Sequence, residues 1–210
     1  MTEPEGRREA LKRVAVVLKQ AGISFALGGG YAAWAHGSPE PEHDVDFLIL
    51  EDNAEQARAA LVEAGLRVEQ PPEDWLFKVF TDGAMVDVLF RSAGFATLRP
   101  MLDRAETESV LSVRMPVLTA TDVMACKLNA LNEHQCDLAR LLPVARAVRE
   151  QVDWASVREV TAGNDFAVSF LVLLERLGVA PPAGDQALPV ASEAASRPSP
   201  SSTETEGEGE

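Results

Sequence analysis

The run Leu27-Gly28-Gly29-Gly30-Tyr31-Ala32-Ala33-Trp34-Ala35-His36-Gly37 is followed, five residues later, by His43-Asp44-Val45-Asp46-Phe47-Leu48-Ile49-Leu50. The first part sets glycines at the end of an apolar β-type segment, and the second sets two carboxylates at the mouth of the next one. Side chains alternate across a strand, so Asp44 and Asp46 share one face while Val45, Phe47 and Ile49 share the other. Two like charges this close repel unless a cation or a shared proton lies between them. A divalent metal ion is the simplest partner. A glycine-rich turn that opens a helix presents free backbone N–H groups to an anion such as phosphate. Metal plus phosphate points to a nucleotide.

Further along, Met85-Val86-Asp87-Val88-Leu89-Phe90 carries a third acid within an apolar β-type run. The run pairs with Trp75 to Phe80 across Thr81-Asp82-Gly83, and Asp-Gly between apolar runs signals a hairpin. An unpaired carboxylate there would be costly. Taken singly, Asp44 could cap a turn and Asp87 could be the polar face of an edge strand. Gly28-x-Gly30-x-x-Ala33 also fits the dinucleotide fingerprint, but that fold wants a full-length helix and an acid at the far end of the second strand. Here the helical stretch is short and the acids precede the apolar run.

The order Gly29-Gly30, Asp44-x-Asp46, Asp87 resembles the nucleotidyltransferase superfamily, closest to its small prokaryotic members, which include antibiotic-modifying and toxin-type proteins. The resemblance implies an α/β (α+β) fold: a mixed β-sheet with flanking helices, followed by a helical C-terminal lobe. It implies Asp44, Asp46 and Asp87 as catalytic residues and ligands of Mg2+ or Mn2+, and Gly29, Gly30 and Lys127 as nucleotide contacts, with an NTP as substrate. Asp137 would orient Lys127. Relatives often carry Arg where this chain has Glu40 and Thr where it has Glu42, so an acid is expected to weaken triphosphate binding. The implied reaction is transfer of a nucleoside monophosphate to a hydroxyl of a small molecule or protein. A nucleotide-binding or interaction protein without turnover, and a toxin-type enzyme acting on RNA, are the alternatives.

The rest of the chain bounds these readings. The net charge is −14, and beyond Val190 five Glu against Arg197 carry −4 of it, leaving −10 on the body. Nucleic-acid binding needs a basic footprint, so nucleic acid is not an expected partner. An antitoxin-type protein partner remains open. The longest uncharged run, from Gln20, contains the glycine cluster and soon meets Glu40, so no membrane span is expected. With no secretion-signal pattern at the N-terminus, a cytoplasmic protein is the expectation. Cys126 and Cys136 have neither zinc nor disulfide spacing and read as reduced thiols on helices. His36, His43 and His134 are too scattered for a metal cluster.

Periodicity predicts helices over 8–21, 53–64, 122–131, 135–149, 154–161 and 166–177, the second capped by Asp52 or Asn53. Short strands are expected over 23–27 and 66–69, and a last β-type segment over 110–118. The expected organisation is a nucleotidyltransferase-like unit over 1–118, a helical lobe over 119–180 and a disordered Pro/Ser/Glu-rich tail over 181–210.

Overall fold

The computed structural model describes residues 2–184, so most of the expected tail lies outside the described residues. Seven strands form one mixed sheet in the order β3-β4-β5-β2-β1-β7-β6. They are β1 (Phe25–Leu27), β2 (Val45–Ile49), β3 (Arg67–Glu69), β4 (Leu76–Thr81), β5 (Ala84–Leu89), β6 (Glu106–Val110) and β7 (Val113–Val117). The helices are α1 (Glu3–Gln20), α2 (Gly29–Ala35), α3 (Ala54–Glu63), α4 (Arg99–Arg104), α5 (Ala120–Asn129), α6 (Leu138–Val148), α7 (Trp154–Thr161) and α8 (Asp165–Arg176). This is the mixed sheet with flanking and C-terminal helices that the motifs implied.

The centre of the sheet sets up everything else. β2 runs antiparallel to β1 and parallel to β5, and β4 closes the hairpin with β5. Val45, Phe47, Ile49, Val86, Val88, Phe77 and Val79 are fully buried on one face of these strands. Burying a side chain of this size is worth about 1.5–3 kcal/mol, so a shift of one residue, which would exchange the two faces, is strongly disfavoured. The alternation leaves Asp46, Asp87 and Lys78 together on the opposite face. At the hairpin tip, Asp82 and Gly83 both have positive φ, 53° and 74°, the combination that suits a two-residue turn between twisted strands.

α1 lies across the apolar face, burying Ala10, Leu11, Val14, Ala15 and Leu18. It starts at Glu3, earlier than the apolar pattern suggests, because Thr2 and Glu5 form a reciprocal capping box that satisfies free N–H groups of the first turn. Its Gly6 sits so close to the hairpin that a Cβ would lie 2.6 Å from the Asp82 carbonyl oxygen.

Other boundaries also moved. A 3-10 turn over Glu51–Asn53 leads into α3, and neither Asp52 nor Asn53 caps it through a side chain. The β-type segment ending at Leu118 is the second arm of a hairpin, β6 with β7, turned at Leu111 and Ser112 with φ of 49° and 67°. Positive φ at a leucine is costly, and nothing in its composition announces a turn. α4 went unread because its six residues hold too few apolar positions to show a period; Arg104 pins it to buried Asp122 on α5 at 2.6 Å. α6 begins at Leu138, after its cap Asp137, so Cys136 is exposed in a loop while Cys126 is on α5.

The apolar interior falls into two clusters. One joins the sheet to α1, α2 and α3, and the other joins α5, α6, α7 and α8. α5 serves both, contributing Val123 to the first and Met124 and Leu128 to the second. Among the described residues no helix is long and apolar enough to cross a membrane.

Candidate active site

β1 ends at Leu27, and the chain turns through Gly28, Gly29 and Gly30 directly into α2. Gly28 N–H donates to the Asp46 carbonyl at 2.8 Å, tying the turn to β2. Gly29 has φ +55, and a Cβ there would lie 1.7 Å from Asp46 Oδ2. Glycine is therefore demanded twice at this position, by the backbone conformation and by the carboxylate stacked against it. At Gly30 a Cβ would meet Pro41 at 2.7 Å, so the loop before Asp44 also depends on a missing side chain.

Asp46 is the electrostatic centre. Burial pushes its carboxyl up to about 6, the charges of Asp87 and Asp44 push the same way, and Lys127 and the Gly30 amide pull it down. A carboxylate held in this way carries negative charge that the protein alone does not balance. Asp44 is exposed just before β2, and Asp44 and Asp46 both line one cleft. Asp87 is the in-register neighbour of Asp46 on the adjacent parallel strand. On its other side it is in register with Lys78 of β4, whose Nζ lies 2.9 Å from Asp87 Oδ1. Lys127 lines the site from α5 and, among the described residues, forms no ion pair within 4.0 Å.

Two clefts of similar size, about 600 and 580 Å³, meet at Asp46 and Lys127. The first is the more polar of the two: Ser38, Glu40, Asp44 and Arg140 are among its walls, beside prolines and alanines. The second is mainly apolar, walled by Leu48, Leu89, Leu118, Cys126 and the indole of Trp75. Burial pushes the Cys126 thiol up to about 12, which leaves it a small apolar wall rather than a nucleophile. His36 lies outside this chemistry; its Nε2 is 2.7 Å from the Leu118 carbonyl, and the His36 carbonyl accepts from Gln151 Nε2 at 2.9 Å.

The carboxylate oxygens of Asp44 and Asp46 are hard donors of the kind that suit Mg2+ or Mn2+, and the uncompensated charge at Asp46 fits one such ion. Asp87 has a partner that the sequence reading did not name, since the Lys78 ammonium occupies one of its oxygens. Among the described residues no three His, Cys, Asp or Glu side chains converge as a metal-binding group.

Two further expectations change. Glu40 is not a loose acid beside the phosphates: Arg8 of α1 grips it with two hydrogen bonds, 2.8 and 2.5 Å, and Tyr31 donates to it at 3.3 Å. Arg8 holds the Glu40 carboxyl below its ordinary range. Asp137 caps α6 and pairs with Arg140 at 3.2 Å rather than orienting Lys127. Sequence reasoning missed Lys78, Trp75, Ser38 and Arg140 as parts of the site.

A glycine turn against a paired-acid strand, with a third acid in register on the next parallel strand, defines a nucleotidyltransferase-type protein. The chain belongs to the DUF2204 family, described as "Nucleotidyl transferase of unknown function", whose sequence pattern matches residues 7–169. No curated protein matches the sequence. Among solved structures, the antibiotic-resistance factor ANT(2'')-Ia in solution is 12% identical with a TM-score of 0.54, covering 85% of this chain and 99% of its own. The crystal structure of ANT(2")-Ia in complex with adenylyl-2"-tobramycin gives 12% and 0.54, covering 78% of this chain and 98% of its own. The lincomycin-bound lincosamide antibiotic adenylyltransferase LnuA is 11% identical with a TM-score of 0.42, covering 64% of this chain and 91% of its own. At 12% identity the likeness to ANT(2'')-Ia is one of fold.

Proposed function

We propose that this protein transfers a nucleoside monophosphate from an NTP to a hydroxyl of a small molecule or protein, with Mg2+ or Mn2+ held by Asp44 and Asp46. The observation that carries the reading is the meeting of two clefts at Asp46 and Lys127, with Asp87 in register beside Asp46. A bound divalent ion would neutralise triphosphate charge and polarise the α-phosphate.

The chain's own groups divide the remaining work. In the polar cleft, Lys127, Arg140 and Ser38 face the triphosphate, and Gly30 lets it approach the backbone. In the apolar cleft, Trp75, Leu48 and Leu89 hold the body of the acceptor with its hydroxyl toward Asp87. Attack by that oxygen forms a bond to the α-phosphorus, the bond to the bridging oxygen breaks, and pyrophosphate leaves. Rate in such a reaction comes chiefly from positioning and charge stabilisation. The fold relative crystallised with an adenylylated antibiotic, adenylyl-2"-tobramycin, agrees with a small hydroxylated acceptor.

The test is a mass-spectrometric screen of NTP, Mg2+ or Mn2+ and hydroxylated acceptors, followed by paired assays on Asp87→Asn. That variant is expected to keep NTP binding and lose transfer by two or more orders of magnitude, on the order of 3 kcal/mol of barrier. Wild type that binds NTP but never transfers, with Asp87→Asn indistinguishable from it, would establish a binding protein instead.

A further inference from the structure

Lys78 is one of only four lysines in the chain, and it stands within a strand whose neighbours on the same face, Leu76 and Phe80, are apolar. Its side chain is 27% exposed and that of Asp87 is 15% exposed. An ion pair this enclosed gains little net stability over an apolar pair of similar size, because both charges leave water. Fold stability alone is therefore a weak reason to place a lysine here. The strand register sets Lys78, Asp87 and Asp46 in a row across β4, β5 and β2. Asp87 thus has an ammonium on one side and the Asp46 carboxylate on the other. Three acids, Asp44, Asp46 and Asp87, face two lysines, Lys78 and Lys127, so one unit of negative charge is left over. One divalent ion at Asp44 and Asp46 more than offsets that remainder; a second at Asp87 would sit against the positive charge of the Lys78 ammonium already on Oδ1.

We propose that Lys78 is the built-in second cation of this site. The chain works with a single divalent ion, at Asp44 and Asp46, and the Lys78 ammonium neutralises Asp87 through Oδ1. The other carboxylate oxygen, Oδ2, is left to take the proton of the acceptor hydroxyl as its oxygen bonds to the α-phosphorus; the bonding pair to the bridging oxygen departs with pyrophosphate. Lys78 is a positioning residue, acting through Asp87. The inference rests on the nucleotidyl-transfer reading and narrows it to one ion.

The experiment counts and places ions in the whole 210-residue chain. Crystals of wild type, K78R, K78M and the double variant K78M/D87N are grown with Mn2+ and the non-hydrolysable α,β-methylene ATP, and Mn2+ is located by anomalous scattering. K78Q replaces K78M if the methionine variant does not fold. The expected result is one ion at Asp44 and Asp46 in wild type and K78R. K78M should gain a second ion touching Asp87, and K78M/D87N should lose it again. A second Mn2+ on Asp87 in wild type, whether or not Lys78 has moved, overturns the inference and leaves the transfer reading standing. A single ion in K78M also overturns it, because the lysine would then exclude nothing. No Mn2+ in any of the four proteins would remove the metal-assisted reading together with this one.

Discussion

Asp46 shows how one residue is made functional at the expense of the fold. Its carboxyl is displaced from 3.8 to about 6, first by burial and then by Asp87 and Asp44. The folded state therefore holds a proton more tightly than the unfolded chain, so stability falls as pH rises from about 4 to about 6, and the penalty is complete above that. The displacement corresponds to a penalty on the order of 3 kcal/mol in the metal-free protein. Asp46→Asn should accordingly melt higher than wild type at pH 8 without metal, and close to it near pH 4. Adding Mg2+ or Mn2+ should raise the wild-type midpoint and leave that of Asp46→Asn almost unmoved. Equal metal responses in the two proteins, read by differential scanning fluorimetry, would take Asp46 out of the ion site. Glu40 is the opposite case, an acid whose charge is met: Glu40→Arg would set a third guanidinium beside Arg8 and Arg7, and should lower the thermal midpoint more than Glu40→Gln does. If Glu40→Arg melts as wild type does, the grip of Arg8 is not structural.

At the level of elements, the glycine turn and the β4/β5 hairpin place the chemistry. Gly29→Ala meets two obstacles, a φ of +55 and a Cβ lying 1.7 Å from Asp46 Oδ2. The backbone conformation alone costs about 1 kcal/mol, and the clash must push the Asp46 carboxylate aside. We expect Gly29→Ala to fold with a modest loss of stability and to lose most of its divalent-ion response, whereas Ala substituted at Gly65, whose Cβ would meet nothing within 4 Å, should cost stability only. Retention of the metal response by Gly29→Ala would show that the turn does not set the carboxylate. These elements also show what the sequence could and could not disclose. Periodicity and the Asp-Gly turn are local signals, so β2, β5 and the polar side of each strand were legible, whereas the parallel pairing that sets Asp46 beside Asp87 joins strands about 40 residues apart and was not. Lys78 was legible in principle: from Thr81 opposite Ala84, counting three residues outward along each strand brings Lys78 opposite Asp87. The Arg8 to Glu40 contact was not, because it spans 32 residues and depends on where α1 crosses the sheet. The β6/β7 turn was hidden because Leu111 and Ser112 are not residues that favour positive φ.

The whole molecule brings its two apolar clusters together through α5, which carries Lys127 to the point where both clefts meet. The first cleft takes one wall from the loop before β2 and the other from α6, through Ala139, Arg140, Pro143 and Val144. The second is bounded by the sheet face and by the segment running from Arg91 to Ala93. If triphosphate and acceptor occupy separate clefts, damage to one should spare the other, since additivity holds for distant sites without shared partners. Ala139→Trp, on the exposed α6 wall of the polar cleft, should weaken NTP binding by about tenfold, roughly 1.4 kcal/mol, and leave the acceptor KM near its wild-type value. Trp75→Ala strips the indole from the other cleft. It should raise the acceptor KM by tenfold or more, roughly 1.4 kcal/mol of contact or greater, with the NTP Kd unchanged. The measurements are calorimetric NTP binding and steady-state transfer on the same preparations. A Trp75→Ala protein whose NTP Kd worsens while its acceptor KM holds would reverse the assignment, placing the nucleobase against the indole and sending the acceptor to the polar cleft under α6.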